Sequence, residues 1–405
     1  MASETIKELT KNTAIAPKES PFAIRKDEKS ISIGLPKELS LQENRIALTP
    51  EAVSLLTKNG LQVSIESGAG DKSNFSDKAY AEAGAKIVYS HKEVFENDIV
   101  LKIEPLIEEE FDILSPNSTL ISTLNITSLN VDYFRKLLSK NITALAFEYI
   151  EDKVGQMPII RAMSEIAGSA VLLIAAEYLS SYHLGKGMLL GGITGVPPTK
   201  VVVLGAGTVG EFAVRTAIGQ GAEVKVFDRQ LYRLQRLQYM VGSRISTSII
   251  DSENLKKALE DADVVIGALR SDIGLAPMVV TEEMVSLMKP NSVIIDVSID
   301  QGGCFETSRM TSHKEPIFLK HDIIHYCVPN IASRFAHTAS IALSNIFAPF
   351  LIKTEGLGGV TEMMYHNKWF MKGVICHKGS MTNLNLAKKY NLKYKDLGLI
   401  LSARF

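Results

Sequence analysis

The chain has 405 residues, 46% of them hydrophobic, with a single Trp and a formal net charge of −1 at pH 7. That length and composition fit two ordinary globular domains, and the near-neutral balance excludes a nucleic acid held on a broad basic face. The cysteines Cys304, Cys327 and Cys376 form no C-x-x-C pair, which argues against a zinc centre or a disulfide framework and for reduced, buried thiols.

Residues 1–30 are rich in Lys, Glu, Ser and Thr and read as a tail or surface arm with no assignable chemistry. No apolar signal region follows this polar start, and no unbroken apolar run reaches about 18 residues. A cytoplasmic protein with no membrane partner and no metal is expected. The fold starts with a strand at 31–35, closed by Pro36, and a polar loop carries Lys37 and Glu38 on to Arg45. Thr49-Pro50-Glu51 is an N-cap and first-turn signal for a helix ending near Gly60.

A strand at 61–66, a glycine loop at 68–70, a helix begun by Ser76 and a strand at 86–89 follow. Ser90-x-x-Glu93 has the spacing of a capping box. Strands are expected at 98–103, 119–124 and 142–150, with a helix at 131–138. Strands alternating with helices indicate parallel crossover units, so the first 150 residues look doubly wound. They carry no glycine fingerprint, so their task is not the dinucleotide.

Residues 163–182, rich in Ala, Ile and Leu, read as a long buried helix bridging two halves. A turn-rich hinge at 191–198 precedes the most informative stretch. Val201-Val202-Val203-Leu204 is a buried strand, Gly205, Gly207 and Gly210 follow as G-x-G-x-x-G, and a helical pattern runs from Glu211. A second strand at 223–227 ends at Asp228. Strand, glycine turn, helix and strand-end acid together indicate dinucleotide binding, with the pyrophosphate at the helix N-terminus and Asp228 on the ribose. Asp228 favours NAD over NADP, and Arg229 beside it weakens that preference. Further strands are expected near 245–247, 263–268, 292–297 and 323–326. An apolar helix at 338–352 returns, and the run to Phe405 should pack on the first domain.

The expected class is therefore α/β, with two doubly wound, Rossmann-like domains and a cleft between them. The divisions are a tail at 1–30, a discontinuous substrate domain at 31–160 and 338–405, and an NAD-binding domain at 161–337. Ligands bind such sheets at the carboxyl ends of strands. Two groups stand out there: Asp300, in Ser298-Ile299-Asp300-Gln301-Gly302-Gly303-Cys304, and Arg45, able to hold a carboxylate by a two-pronged contact.

Several runs resemble the alanine dehydrogenase family and the related soluble subunit of proton-translocating transhydrogenase. They are Ile33 to Glu38, Glu43 to Pro50, Met163-Ser164-Glu165-Ile166-Ala167-Gly168, Gly191 to Pro198, Gly205 to Gly210 and Ile299 to Cys304. The resemblance implies reversible oxidative deamination of L-alanine to pyruvate and ammonia with NAD, in a homo-oligomer, hexamer or dimer. By position, Arg45 would grip the substrate carboxylate, Asp300 would handle protons beside the nicotinamide, and Asn330 would border nicotinamide and substrate. Ser164, Gly205, Gly207, Thr208, Val209, Gly210, Asp228, Arg229, Ala268 and Asn330 would form the cofactor site.

One departure from the pattern matters for the chemistry. The family's catalytic Lys lies in Lys-Val-Lys-Glu-Pro, and this chain has Lys102-Ile103-Glu104-Pro105, in which Lys102 matches the first lysine and the second is absent. The family's catalytic His falls on Asn125, which cannot take a proton from water near neutral pH. Lys102, His325 and His337 are the candidate substitutes, and Arg334 is a candidate second anionic contact. Two alternatives stay open: a secondary-amine dehydrogenase of the saccharopine type, and a non-catalytic NAD-binding sensor or partner subunit.

Overall fold

The computed structural model describes residues 30–40, 42–124, 129–271, 275–368 and 370–403. The tail at 1–29 and Asn125 lie outside the described residues. Among the described residues, the first sheet contains β1 (Ser32–Leu35), β2 (Gln62–Glu66), β3 (Lys86–Val88), β4 (Ile99–Leu101), β5 (Thr119–Ser122) and β6 (Thr143–Ala146). The second contains β7 (Lys200–Leu204), β8 (Glu223–Asp228), β9 (Ser246–Ile249), β10 (Val264–Gly267), β11 (Val293–Asp296), β12 (Ile317–Lys320) and β13 (Ile323–Tyr326). Late in the chain, β14 (Val374–His377) and β15 (Ser380–Met381) return to the first sheet, which makes that domain discontinuous.

The strand orders are β15-β14-β6-β5-β4-β1-β2-β3 and β12-β13-β11-β10-β7-β8-β9. Pairing is parallel except where β14 and β15 join the first sheet and β12 the second. β4, β5, β6, β10 and β11 are buried throughout, as parallel strands covered on both faces must be. Each sheet reverses its order once, between β1 and β4 and between β7 and β10, and the carboxyl ends at such switch points form a crevice. One crevice is therefore flanked by Glu38 and Lys102, the other by Gly205 and Ala268.

Two long helices tie the domains together. Pro158–Leu179 begins earlier than the apolar pattern, because Pro158 occupies its first turn, where a missing N–H costs nothing. It packs closely on the fingerprint helix: a Cβ at Gly168 would lie 2.4 Å from the Val209 carbonyl oxygen. The helix Ala336–Gly356 stitches the Arg45 loop with hydroxyls. Ser340 Oγ accepts from the Ile46 N–H at 2.9 Å, Ser344 Oγ from the Thr49 N–H at 2.7 Å, and Ser333 Oγ, just before it, from the Asn44 N–H at 2.8 Å. Both regions are long and apolar enough to cross a membrane by length and composition. Their Val171, Leu172 and Ile174, and Leu343, Phe347 and Leu351, are instead buried in the two cores.

Three local expectations are corrected. Ser90 makes no side-chain cap bond to the short helix His91–Val94, and Glu93 Oε1 instead accepts from Lys86 Nζ at 2.5 Å. The strand expected over 142–150 stops at Ala146, where the backbone tightens into the 3-10 turn Phe147–Tyr149. Strands β12, β14 and β15 were not expected: β12 is an edge strand with two exposed residues, and β14 forms only by long-range pairing with β6.

Candidate functional site

The dinucleotide cradle is built by sterics. Gly205 takes φ +112, a backbone region open to glycine, and its N–H donates to the Phe227 carbonyl at 2.7 Å. A Cβ there would sit 2.4 Å from the Ala268 carbonyl oxygen, since the ends of β7 and β10 are neighbours, and one at Gly210 would sit 1.9 Å from the Gly205 carbonyl oxygen. At Gly207 a Cβ would meet no atom within 4 Å. That open space is where a pyrophosphate can approach the backbone. The helix Thr208–Gly219 starts there, with no side chain capping its first N–H groups.

Ser164, Gly205, Gly207, Thr208, Val209, Asp228, Arg229 and Ala268 line one cleft of about 650 Å³. Gly210 lies buried behind it, against Gly205. Asp228 is 3% exposed; its Oδ2 accepts from the Ala206 N–H and its Oδ1 from the Gln230 N–H, both at 2.8 Å. These residues fit a dinucleotide: close packing behind the turn, free space in front of it and an acid at the next strand end.

The Arg45 loop is a knot of charge. Arg45 is buried, and Glu43, wholly buried, accepts from its Nε at 2.7 Å and its Nη2 at 2.6 Å. Nη1 contacts Met163 Sδ at 3.2 Å, and Asn330 Nδ2 donates to Glu43 Oε2 at 2.8 Å. A guanidinium carries five N–H groups, so one on each Nη remains for an anion. Asn330 sits in the left-handed region at φ 55, starting the turn Ile331–Phe335. Thus a first-domain Arg and a second-domain Asn share one acid.

Asp300 faces the same region. Its surface is exposed, yet enough protein crowds it that lost hydration raises its carboxyl to about 6, while the Asn330 backbone N–H and the Arg45 charge pull it down. Its loop is pinned by Asp296, which accepts from the Ser298 N–H at 3.0 Å, the Cys304 N–H at 2.9 Å and Ser308 Oγ at 2.6 Å. Arg45, Asn330 and Asp300 therefore meet near one point.

The other candidates are engaged elsewhere. Lys102 is buried, with Nζ 2.7 and 2.6 Å from the two carboxylate oxygens of Glu110, so its ammonium is held in an ion pair rather than free as a base. His337 is exposed; its Nδ1 is 2.8 Å from the Ser73 carbonyl oxygen, and its ring stacks on Phe75 at 4.6 Å. His325 is wholly buried, bonded to Thr307 Oγ1 at 2.8 Å, and burial lowers its pKa to about 4. Arg334 pairs with Glu177 at 2.6 Å.

Sequence reasoning passed over Glu43, Asp296, Glu38 and Glu104. Asp296 ends β11, and a strand-end acid is a usable signal. Glu38 is buried and accepts from the Ile103 N–H at 2.5 Å; burial raises its carboxyl to about 7, with Lys102 pulling the other way. Burial also raises Glu104, which feels Glu43, Arg45 and Lys102.

Comparison with known proteins agrees across both domains. The family model described as alanine dehydrogenase/PNT, N-terminal domain, matches residues 34–167, and that for the C-terminal domain matches residues 170–384. The alanine dehydrogenase of Mycolicibacterium smegmatis is 37% identical over 371 residues, 91% of this chain and 100% of the relative. That of Methanococcus maripaludis is 37% identical over 364 residues, 89% of this chain and 97% of the relative. A solved L-alanine dehydrogenase is 33% identical, with a TM-score of 0.84 over 89% of this chain and 99% of the other. A transhydrogenase structure from Sinorhizobium meliloti, 22% identical with a TM-score of 0.75 over 87% of this chain and 99% of the other, shares the fold.

Proposed function

The chain belongs to the alanine dehydrogenase/PNT family, and from that premise we propose that it catalyses reversible oxidative deamination of L-alanine to pyruvate and ammonia with NAD. The observation that carries this reading is the convergence of Arg45, Asn330 and Asp300 from two domains, with Arg45 touching Met163, the neighbour in sequence of Ser164 in the dinucleotide cleft. When bound, NAD supplies the acceptor for the hydride that leaves the substrate Cα.

The protein's own residues divide the remaining work. Arg45, splinted by Glu43, turns its two remaining N–H groups to the substrate carboxylate and fixes the Cα. Asp300, with a pKa of about 6, takes a proton from the water that adds to the iminium carbon, returns it to the nitrogen, and takes the hydroxyl proton as the C–N bond breaks to leave pyruvate and ammonia. Asn330 holds Glu43, and through it Arg45, in register across the cleft.

Absorbance of NADH tests the reading with alanine and NAD, and in reverse with pyruvate, ammonia and NADH. Silence in both directions from folded protein that binds NADH rejects it. The engagement of Lys102 by Glu110 favours a second reading, a non-catalytic NAD-binding sensor, which predicts binding without turnover. A homo-oligomer is supported by the exposed apolar side chains Leu173, Leu184, Leu189, Ile193 and Val196, all at least 49% exposed. Light scattering on the purified chain measures it.

A further inference from the structure

We propose that the adenosine end of the cleft also accepts a 2′-phosphate, so that the site takes NADP as well as NAD; this rests on the dinucleotide-site reading above. An acid at the end of the second strand of such a domain ordinarily rejects that phosphate by like-charge repulsion. Here Asp228 is turned inward. Both its oxygens accept backbone N–H groups at 2.8 Å, from Ala206 and Gln230, so two peptide dipoles bear on its charge. Each oxygen keeps a further lone pair for a ribose hydroxyl.

Around it the charge is positive. Arg229, Arg233 and Arg236 line the same cleft as Asp228, with Tyr232 between them. Arg229 follows β8 directly, while Arg233 and Arg236, three residues apart on the helix Leu231–Val241, share one of its faces. Arg229 and Arg236 thus set two guanidiniums beside that one carboxylate. Among the described residues neither Arg229 nor Arg236 forms an ion pair, and the contact of Arg236 is a single bond of 3.3 Å to the Ala206 carbonyl oxygen. Arg215 and Arg334 of the same domain are, by contrast, paired with acids, Glu211 at 2.8 Å and Glu177 at 2.6 Å. Guanidiniums without an acid partner, set in a concave site, are matched to a phosphate dianion by charge and by their forked donors.

Titration calorimetry on the full chain tests this with 5′-AMP and 2′,5′-ADP, which differ only in the 2′-phosphate, alongside NADH. The expected result is binding of 2′,5′-ADP at least about tenfold tighter than 5′-AMP at low ionic strength, with the ratio shrinking at roughly 0.3 M salt. In Arg229→Ala or Arg236→Ala the ratio should collapse below about threefold, and Arg229→Lys should retain most of it, because an ammonium still presents a point charge. A wild-type ratio of one or less, or a ratio that neither alanine variant moves, overturns the proposal. If NADH and 5′-AMP bind while the 2′-phosphate adds nothing, the dinucleotide site stands and only the phosphate preference falls. Absence of NADH binding removes both.

Discussion

Glu43 holds Arg45 by two side-chain hydrogen bonds, 2.7 Å to Nε and 2.6 Å to Nη2, with the acid wholly buried and the guanidinium 9% exposed. The pair lies at the entrance to the helix Pro50–Lys58, in a loop whose amides are fastened by Ser333, Ser340 and Ser344. A guanidinium in open solution would lose rotamer freedom on meeting a carboxylate ligand. Here Glu43 has already fixed it, and burial of the acid is tolerated only because the Arg is present; the Arg charge and its hydrogen bonds hold the Glu43 carboxyl below its usual range against a strong desolvation effect.

That mutual dependence gives a double-mutant prediction. Arg45→Ala strands a buried carboxylate and should destabilise the first domain by about 3–5 kcal/mol. Arg45→Ala combined with Glu43→Ala removes both charges and should recover a large part of that loss. Thermal melts of the four proteins read the coupling, and a double variant less stable than Arg45→Ala would contradict it. In activity assays Glu43→Gln should raise the KM for alanine about tenfold or more while the KM for NAD changes little, because the guanidinium loses its splint rather than its charge.

Asp300 should set the acid limb of the rate profile. Its carboxyl titrates near about 6, raised by the protein crowding it, and as a base it works only when ionised. Deamination should therefore fall as the pH drops through about 6. Asp300→Asn should lower kcat by roughly 10²–10⁴ and abolish that limb. An unaltered inflection in the residual activity of Asp300→Asn would place the titrating group elsewhere.

How much of this was legible in the sequence depended on how local the cause was. The stretch from Val201 to Asp228 declared itself because strand, turn and helix are adjacent, and Gly205 and Gly210 each answer to an atom only a few residues or one neighbouring strand away. Arg45 and Asp300 stood out as strand-end charges. Their partners did not. Lys102 looked like a free strand-end amine because its carboxylate, Glu110, comes eight residues later, across a proline turn. β14 is four residues long and exists through pairing with β6, over 200 positions earlier, which no local pattern announces.

The buried ionic chain behind Lys102 should make stability fall as pH rises. Glu66 Oε2 lies 2.7 Å from His91 Nδ1, and Glu110 Oε1 lies 3.3 Å from His91 Nε2. Bonds to Glu110 and then Glu66 raise His91 to about 9 from 6.5. A raised histidine stabilises fully below its unfolded pKa, so this contribution is complete below about 6.5 and is lost as pH climbs through about 9. Glu38 has the same sign in a lower window. Its carboxyl rises from 4.5 to about 7 on burial, so the folded state binds the extra proton between those values and loses that advantage as pH increases. Melting temperatures from pH 5 to pH 9.5 should decline, with the upper part of the decline flattened in His91→Gln and the lower part in Glu38→Gln. A wild-type melting temperature that holds constant over that range would show that neither shift exists.

The glycines separate folding from binding. A Cβ at Gly210 would stand 1.9 Å from the Gly205 carbonyl oxygen, a backbone atom that cannot yield without moving β7 from its helix. Gly210→Ala should therefore lower the melting temperature sharply or prevent folding. Gly207 has φ −77, a value open to any residue, and its added Cβ meets nothing within 4 Å. Gly207→Ala should fold with a melting temperature within about 2 °C of the parent, since surface changes without a packing conflict typically cost under about 0.5 kcal/mol. The new methyl would nonetheless occupy the space in front of the helix N-terminus, where a pyrophosphate must come close to backbone N–H groups. NADH affinity, followed by fluorescence titration, should weaken about tenfold or more. Unchanged affinity in a folded Gly207→Ala protein would mean that the cofactor phosphates do not rest on this turn, and the assignment of the cleft would have to be given up.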